Sequence, residues 1–121
     1  MSAFDLLSIA ASGMQAQRAA LDLAARNVAV AEAVGRNGSY ERLLPDFGPI
    51  IASDDGSYPD ELAPPAGSIA YVGSHAEKGS SVDVLTEMIS VLNASRAYEA
   101  NASVFDLGKR LAERTIDMGR L

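Results

Sequence analysis

Apolar side chains recur in alternating steps of three and four residues near both ends of this chain, and the pattern breaks between them. Phe4, Leu7, Ala11, Met14, Leu21, Ala25 and Val28 keep that step through the first third, with Arg18 the one polar interruption. Heptad spacing of this kind marks a helix that packs lengthwise on another. A second set, Leu6, Ile9, Gly13, Ala16, Ala20, Leu23 and Val30, obeys the same rule about 140° round the helix. One stripe suffices for an ordinary surface helix. Two stripes predict two sets of helical neighbours. Gly13 lies beside Ala10, Ala16 and Ala20, so it either lets another backbone approach closely or is tolerated at about 1 kcal/mol.

The last third repeats the pattern. Ser80, Ser81 and Asp83 offer N-caps, placing a helix start near Val82–Val84. Val84, Met88, Val91, Tyr98, Ala102, Phe105, Ala112 and Ile116 form one stripe, with Ser95 and Lys109 as its polar members. Ala97, Ala100, Val104, Leu107, Leu111 and Met118 form another. Lys109, Arg110 and Arg114 bring positive charge toward the C-terminal turns, where the helix dipole favours it. Such long helices gain too little from one covered stripe to offset the entropy of ordering them, so they are expected to firm up only when neighbours cover the second.

All five prolines (Pro45, Pro49, Pro59, Pro64, Pro65) and seven of the ten glycines fall between the two helical thirds. The chain divides accordingly into an N-terminal helical segment over 1–33, a Gly/Pro-rich module over 34–82 and a C-terminal helical segment over 83–121. Within the module, Tyr40–Leu44, Ile50–Ala52 and Ser68–Val72 are short β-like runs, with Asn37-Gly38 and Asp54-Asp55-Gly56 as turn signals. A small hairpin or three-stranded element follows, with Pro59–Gly67 as an extended loop. The expected fold is mainly α: two long terminal helices pairing as an antiparallel coiled coil, carrying a small β-hairpin-containing insert.

Composition narrows the function. At 121 residues the chain is one domain or less. Its net charge of −6 argues against non-specific nucleic-acid binding. It lacks cysteine, so disulfides and thiolate zinc sites are excluded. No apolar run reaches about 18 residues, so no membrane insertion is expected, and the N-terminus lacks the basic and hydrophobic regions of a cleavable signal. His75 is the only histidine, in a polar Gly-Ser-His-Ala-Glu-Lys stretch expected to be an exposed loop. A triad would need that one imidazole, and no phosphate loop or H-E-x-x-H occurs. Asp54, Asp55, Asp60 and Glu61 lack EF-hand spacing and read as a solvated acidic turn. We therefore expect no enzyme, no cofactor, no metal and no small-molecule substrate.

Two segments carry a family resemblance. Val82-Asp83-Val84-Leu85-Thr86-Glu87-Met88-Ile89, followed by Asn93-Ala94-Ser95-Arg96-Ala97-Tyr98-Glu99-Ala100-Asn101, resembles the C-terminal signature of bacterial flagellar rod and hook proteins. Its Ala-Ser-Arg-x-Tyr-x-Ala-Asn form is most like that of the proximal rod members. Ile9–Met14, Gln17 and Leu23–Ala29 are similar to the first helix of that family, and Ser39–Arg42 to its Tyr-Arg-rich start of the middle region. Val30 stands where the family has a second asparagine after Asn27, Ser80-Ser81 replaces a Pro-Asn, and the insert is short.

The resemblance implies a non-enzymatic axial subunit, exported uncleaved by the flagellar type III apparatus. It implies self-association and assembly with other flagellar rod proteins and with MS-ring and export-gate components, in a rod running from MS ring to hook. Phe4, Leu7, Met14 and Leu21 would then pack against Val91, Tyr98 and Phe105, within a subunit or between subunits. Arg96 and Asn101 would supply directional hydrogen bonds that fix register, as Asn27 matches the first-helix motif. Tyr98 is expected in the core with its hydroxyl partnered. The competing reading is a free-standing helical adaptor or export chaperone that binds one partner helix.

Overall fold

The computed structural model describes residues 2–34, 40–50, 65, 67–77 and 82–120. Four elements follow in order: α1 (Ala3–Val34), β1 (Leu43–Pro49), β2 (Ile69–Ala76) and α2 (Val84–Gly119). The two helices, about 48 and 54 Å long at 1.5 Å per residue, lie against one another as the mainly α pattern predicts.

Local chemistry starts each helix. The Ser2 N–H donates to Asp5 Oδ2 at 2.9 Å and the Asp5 N–H donates to Ser2 Oγ at 3.2 Å, a reciprocal cap on α1. That backbone bond from Ser2 holds the Asp5 carboxyl below its ordinary pKa. On α2 the cap is Asp83, which accepts from the Leu85 N–H at 3.1 Å and from Thr86 Oγ1 at 3.4 Å. The other end differs from expectation. α2 runs on to Gly119, so its last turn contains no basic residue, and Lys109, Arg110 and Arg114 lie further back along it.

The sheet is a two-stranded antiparallel hairpin. Only the end of the expected Tyr40–Leu44 run enters β1, and β1 continues through Pro45 to Pro49. Both prolines are tolerated because they face Ser74 and Ile69 at positions whose N–H points away from the ladder. β2 extends beyond Val72, so His75 is in a strand instead of a loop, exposed and 2.6 Å from Asp46 Oδ1 through Nδ1. Tyr71 pairs with Phe47 and Gly73 with Asp46, which leaves Val72 as a bulge. Ile50 follows β1, and both turn signals and the acidic turn lie outside the described residues.

The hairpin rests on α1 and not on α2. Tyr71 lines a shallow pocket with Ala19, Asp22, Leu23 and Arg26, and Ala16 and Leu23 of the second α1 stripe are buried. Within the chain, α1 thus has two neighbours, α2 along its length and the β-hairpin over its C-terminal half.

Candidate functional site

The line where the helices meet is built of small and polar side chains. Ala10, Ala16, Ala24 and Asn27 are buried on α1, and Glu87, Ala94, Gly108 and Ala112 on α2, with Leu23 the one large apolar residue among the buried positions of either helix. Glu87, Ala94, Asn101 and Gly108 recur every seven residues, which places them along one line of α2. Gly13 abuts Asn101: a Cβ built on Gly13 would sit 2.8 Å from the Asn101 side-chain nitrogen. At Gly108 a Cβ would sit 3.2 Å from Leu7 Cδ2. Close approach, and not mere tolerance, is the reason for Gly13.

One end of this seam is held by a buried polar cluster. Asn27 reads the Leu43 backbone from both sides: its Nδ2 donates to Leu43 O at 2.9 Å, and the Leu43 N–H donates to Asn27 Oδ1 at 3.1 Å. The same Nδ2 donates to Glu87 Oε1 at 3.3 Å. Arg42 Nε donates to that Glu87 oxygen at 2.5 Å, and its Nη2 donates to Ser90 Oγ at 2.6 Å. Ser90 in turn donates to Thr86 O. Arg42 also lies 3.7 Å from Glu77. Glu87 is only 1% exposed. Burial at that depth is costly for a carboxylate unless it is paired and hydrogen-bonded. Here α1, α2 and the entry to β1 all converge on it.

Because small residues bring the helices close, the large side chains are pushed to the flanks. Phe4 is 59% exposed, Tyr98 40% and Val91 37%, while Leu7, Met14, Leu21 and Phe105 are half-buried. Met14, Tyr98 and Phe105 share a groove of about 270 Å³ with Ala11, Gln15 and Arg18. Tyr98 is thus on the rim of the helix pair and not in a core. Asn101 is half-buried and donates to Ala97 O in its own helix at 3.0 Å; within the chain it acts on register by shape, against Gly13. Arg96 is exposed and makes no hydrogen bond or ion pair among the described residues. Asn27 is the one residue of the expected set that is fully buried. Sequence reasoning passed over Glu87, Arg42 and Ser90; the seven-residue recurrence of Glu87 with Ala94, Asn101 and Gly108 was the available signal.

Among the described residues, α2 carries twelve of the eighteen exposed large hydrophobics, from Val84 to Met118. They occupy both flanks of the seam, since Met88, Tyr98 and Ile116 lie on one side and Val104, Leu107 and Leu111 on the other. Among the described residues no three His, Asp or Glu side chains converge as a metal site, and no helix is long and apolar enough to cross a membrane.

Comparison with known proteins accounts for this architecture. Residues 74–118 match the family model described as flagellar basal body rod FlgEFG protein C-terminal. The chain is 31% identical over 133 residues to the flagellar basal-body rod protein FlgC of Aquifex aeolicus, covering 97% of each. It is 29% identical to that of Escherichia coli O6:H1 and 28% identical to that of Salmonella typhimurium, in both cases over 99% of this chain and 100% of the relative. Helix pairing, signature segment and end-to-end similarity agree: the chain belongs to the FlgC family of flagellar basal-body rod proteins.

Proposed function

We propose that this protein is a structural, non-enzymatic subunit of the flagellar basal-body rod that polymerises through its terminal helices, with copies of itself and other rod proteins, into the shaft between MS ring and hook. The observation that carries the reading is the uncovered apolar surface on both flanks of α2. A soluble monomer rarely exposes a large apolar patch without a partner to receive it. Residues 1–33 and 83–121 act as the rod-forming segments, and 34–82 as the module they carry.

In this reading Phe4, Leu7, Met14 and Leu21 meet Val91, Tyr98 and Phe105 of neighbouring subunits, and the groove at Met14, Tyr98 and Phe105 receives an apolar side chain from the next helix. Arg96, exposed on α2, offers its guanidinium to a neighbour. Delivery is by the flagellar type III apparatus without cleavage, and the innermost contacts are with MS-ring and export-gate components.

Tyr98→Ala combined with Phe105→Ala tests this directly. Both side chains lie outside the buried seam, so the variant should keep its helical circular dichroism and its export, and lose incorporation into basal bodies and swimming. Normal motility of that variant would overturn the reading.

A further inference from the structure

Charge is shared unevenly between the two ends of the helix pair. The stretch from Asn27 to Glu87, whose ends the polar cluster joins, holds ten acidic residues against three basic, a net −7. The rest of the chain holds six acidic against seven basic. At the clasp end Glu32, Glu41, Glu77 and Asp83 are exposed, while Arg42 is committed to Glu87. The opposite end is where Leu7 meets Gly108. There the last turns of α2 expose Lys109, Arg110, Arg114 and Arg120 against Glu113 and Asp117, and Asp5 is engaged by Ser2. From Glu87 to Arg110 is about 35 Å at 1.5 Å per residue, several times the screening length of about 8 Å at physiological salt. The two ends of one chain therefore cannot neutralise each other.

Each end also exposes apolar side chains that the seam does not use. Leu107, Leu111 and Met118 stand among the basic residues near the close of α2. Leu85, Ile89 and Leu92 stand near its start, on the side opposite the seam. Farther along, that same side is polar, with Arg96, Glu99, Ser103, Asp106 and Arg110. The outward apolar patch is thus confined to the first turns of α2, beside the acidic groups.

We propose that the basic end of one copy docks on the acidic end of the next, with the last turns of α2 against Leu85, Ile89 and Leu92, so that copies stack head to tail. This rests on the rod-subunit reading above and names the contact that runs along the rod axis. The occupant is a second copy because each end supplies the charge that the other lacks. The contact is heterologous: after pairing, one end stays free on each copy, so the array remains open and polar.

Sedimentation equilibrium of the full chain tests this. The mean mass should climb past that of a dimer as concentration rises. Association should weaken as salt goes from about 0.01 M to about 1 M and the screening length falls from about 30 to about 3 Å. Arg110→Glu with Arg114→Glu should raise the dissociation constant at least about tenfold, because like charges then face each other. Glu32→Lys with Glu41→Lys should do the same. Mixing the two variants should restore association, since the reversed end of each fits the reversed end of the other. All four side chains are exposed, so both variants should keep the wild-type circular dichroism; should one misfold, the mass and salt dependence of the wild type decide. A monomer at every concentration, a plateau at the dimer, association indifferent to salt, or a mixture no better than either variant alone would overturn the proposal. None of these results touches the rod-subunit reading, which the motility of the Tyr98 and Phe105 variant decides.

Discussion

Removing the Glu87 carboxylate should be the most damaging single change within the subunit. Its side chain is 1% exposed, receives Arg42 Nε and Asn27 Nδ2 on one oxygen, and faces an Arg42 that is itself 16% exposed. Glu87→Ala strands that part-buried guanidinium without its carboxylate and takes an acceptor from Asn27. Breaking a buried pair from one side costs about 3–5 kcal/mol, a large part of the 5–15 kcal/mol a typical domain possesses. Arg42→Met leaves the opposite charge stranded and should cost a similar amount; the lost contact with half-exposed Glu77 adds little. The decisive measurement is the double variant Arg42→Met, Glu87→Ala. If the two charges exist for each other, it should recover about 2 kcal/mol or more relative to the sum of the single changes. Urea denaturation followed by far-ultraviolet circular dichroism gives all four stabilities. A Glu87→Ala cost under about 1 kcal/mol, or strict additivity in the double variant, would refute the cluster as the clasp of the fold.

Three further outcomes follow from the geometry. Gly13→Ala gains about 1 kcal/mol in helix propensity but overpacks Asn101 at a cost of about 1–3; it should be neutral to destabilising in denaturant melts, and adding Asn101→Ala should return the chain to wild-type stability or above. Arg96→Ala should leave the isolated chain within about 0.5 kcal/mol of wild type and weaken assembly by about 1–3 kcal/mol, read from subunit incorporation; a destabilised monomer would contradict its exposed position. The lowered Asp5 pKa means the cap contributes stability above the unfolded carboxylate pKa and loses it as pH falls through the lower folded value; amide protection at the start of α1, taken relative to intrinsic exchange at each pH, should therefore fall in acid, and a profile unchanged in Asp5→Asn would disprove it.

The helices and their pairing were legible because heptad periodicity is a local property that repeats many times over a long segment. What periodicity did not reveal is which line of each helix faces inward. A seam of Ala10, Gly13, Ala24, Ala94 and Gly108 carries little hydrophobic signal, so the eye goes to Phe4, Tyr98 and Phe105, which the close helix approach pushes to the rim. The hairpin was half legible: alternation located β2, whereas Pro45 and Pro49 hid β1, since only the register reveals that their missing donors face outward. The Arg42–Glu87 pair joins positions 45 residues apart, and nothing local in the sequence announces it.

The clasp at Asn27, Arg42 and Glu87 sits at one end of the helix pair, near the close of α1 and the opening of α2. Among the described residues, the seam beyond it is made of small side chains, Asn101 against Gly13, and leucines such as Leu7 against Gly108. Two stiff arms joined that way behave as tweezers. Opening of the pair should therefore start at the tips and diminish toward the clasp, with amide protection along both helices rising in the same direction.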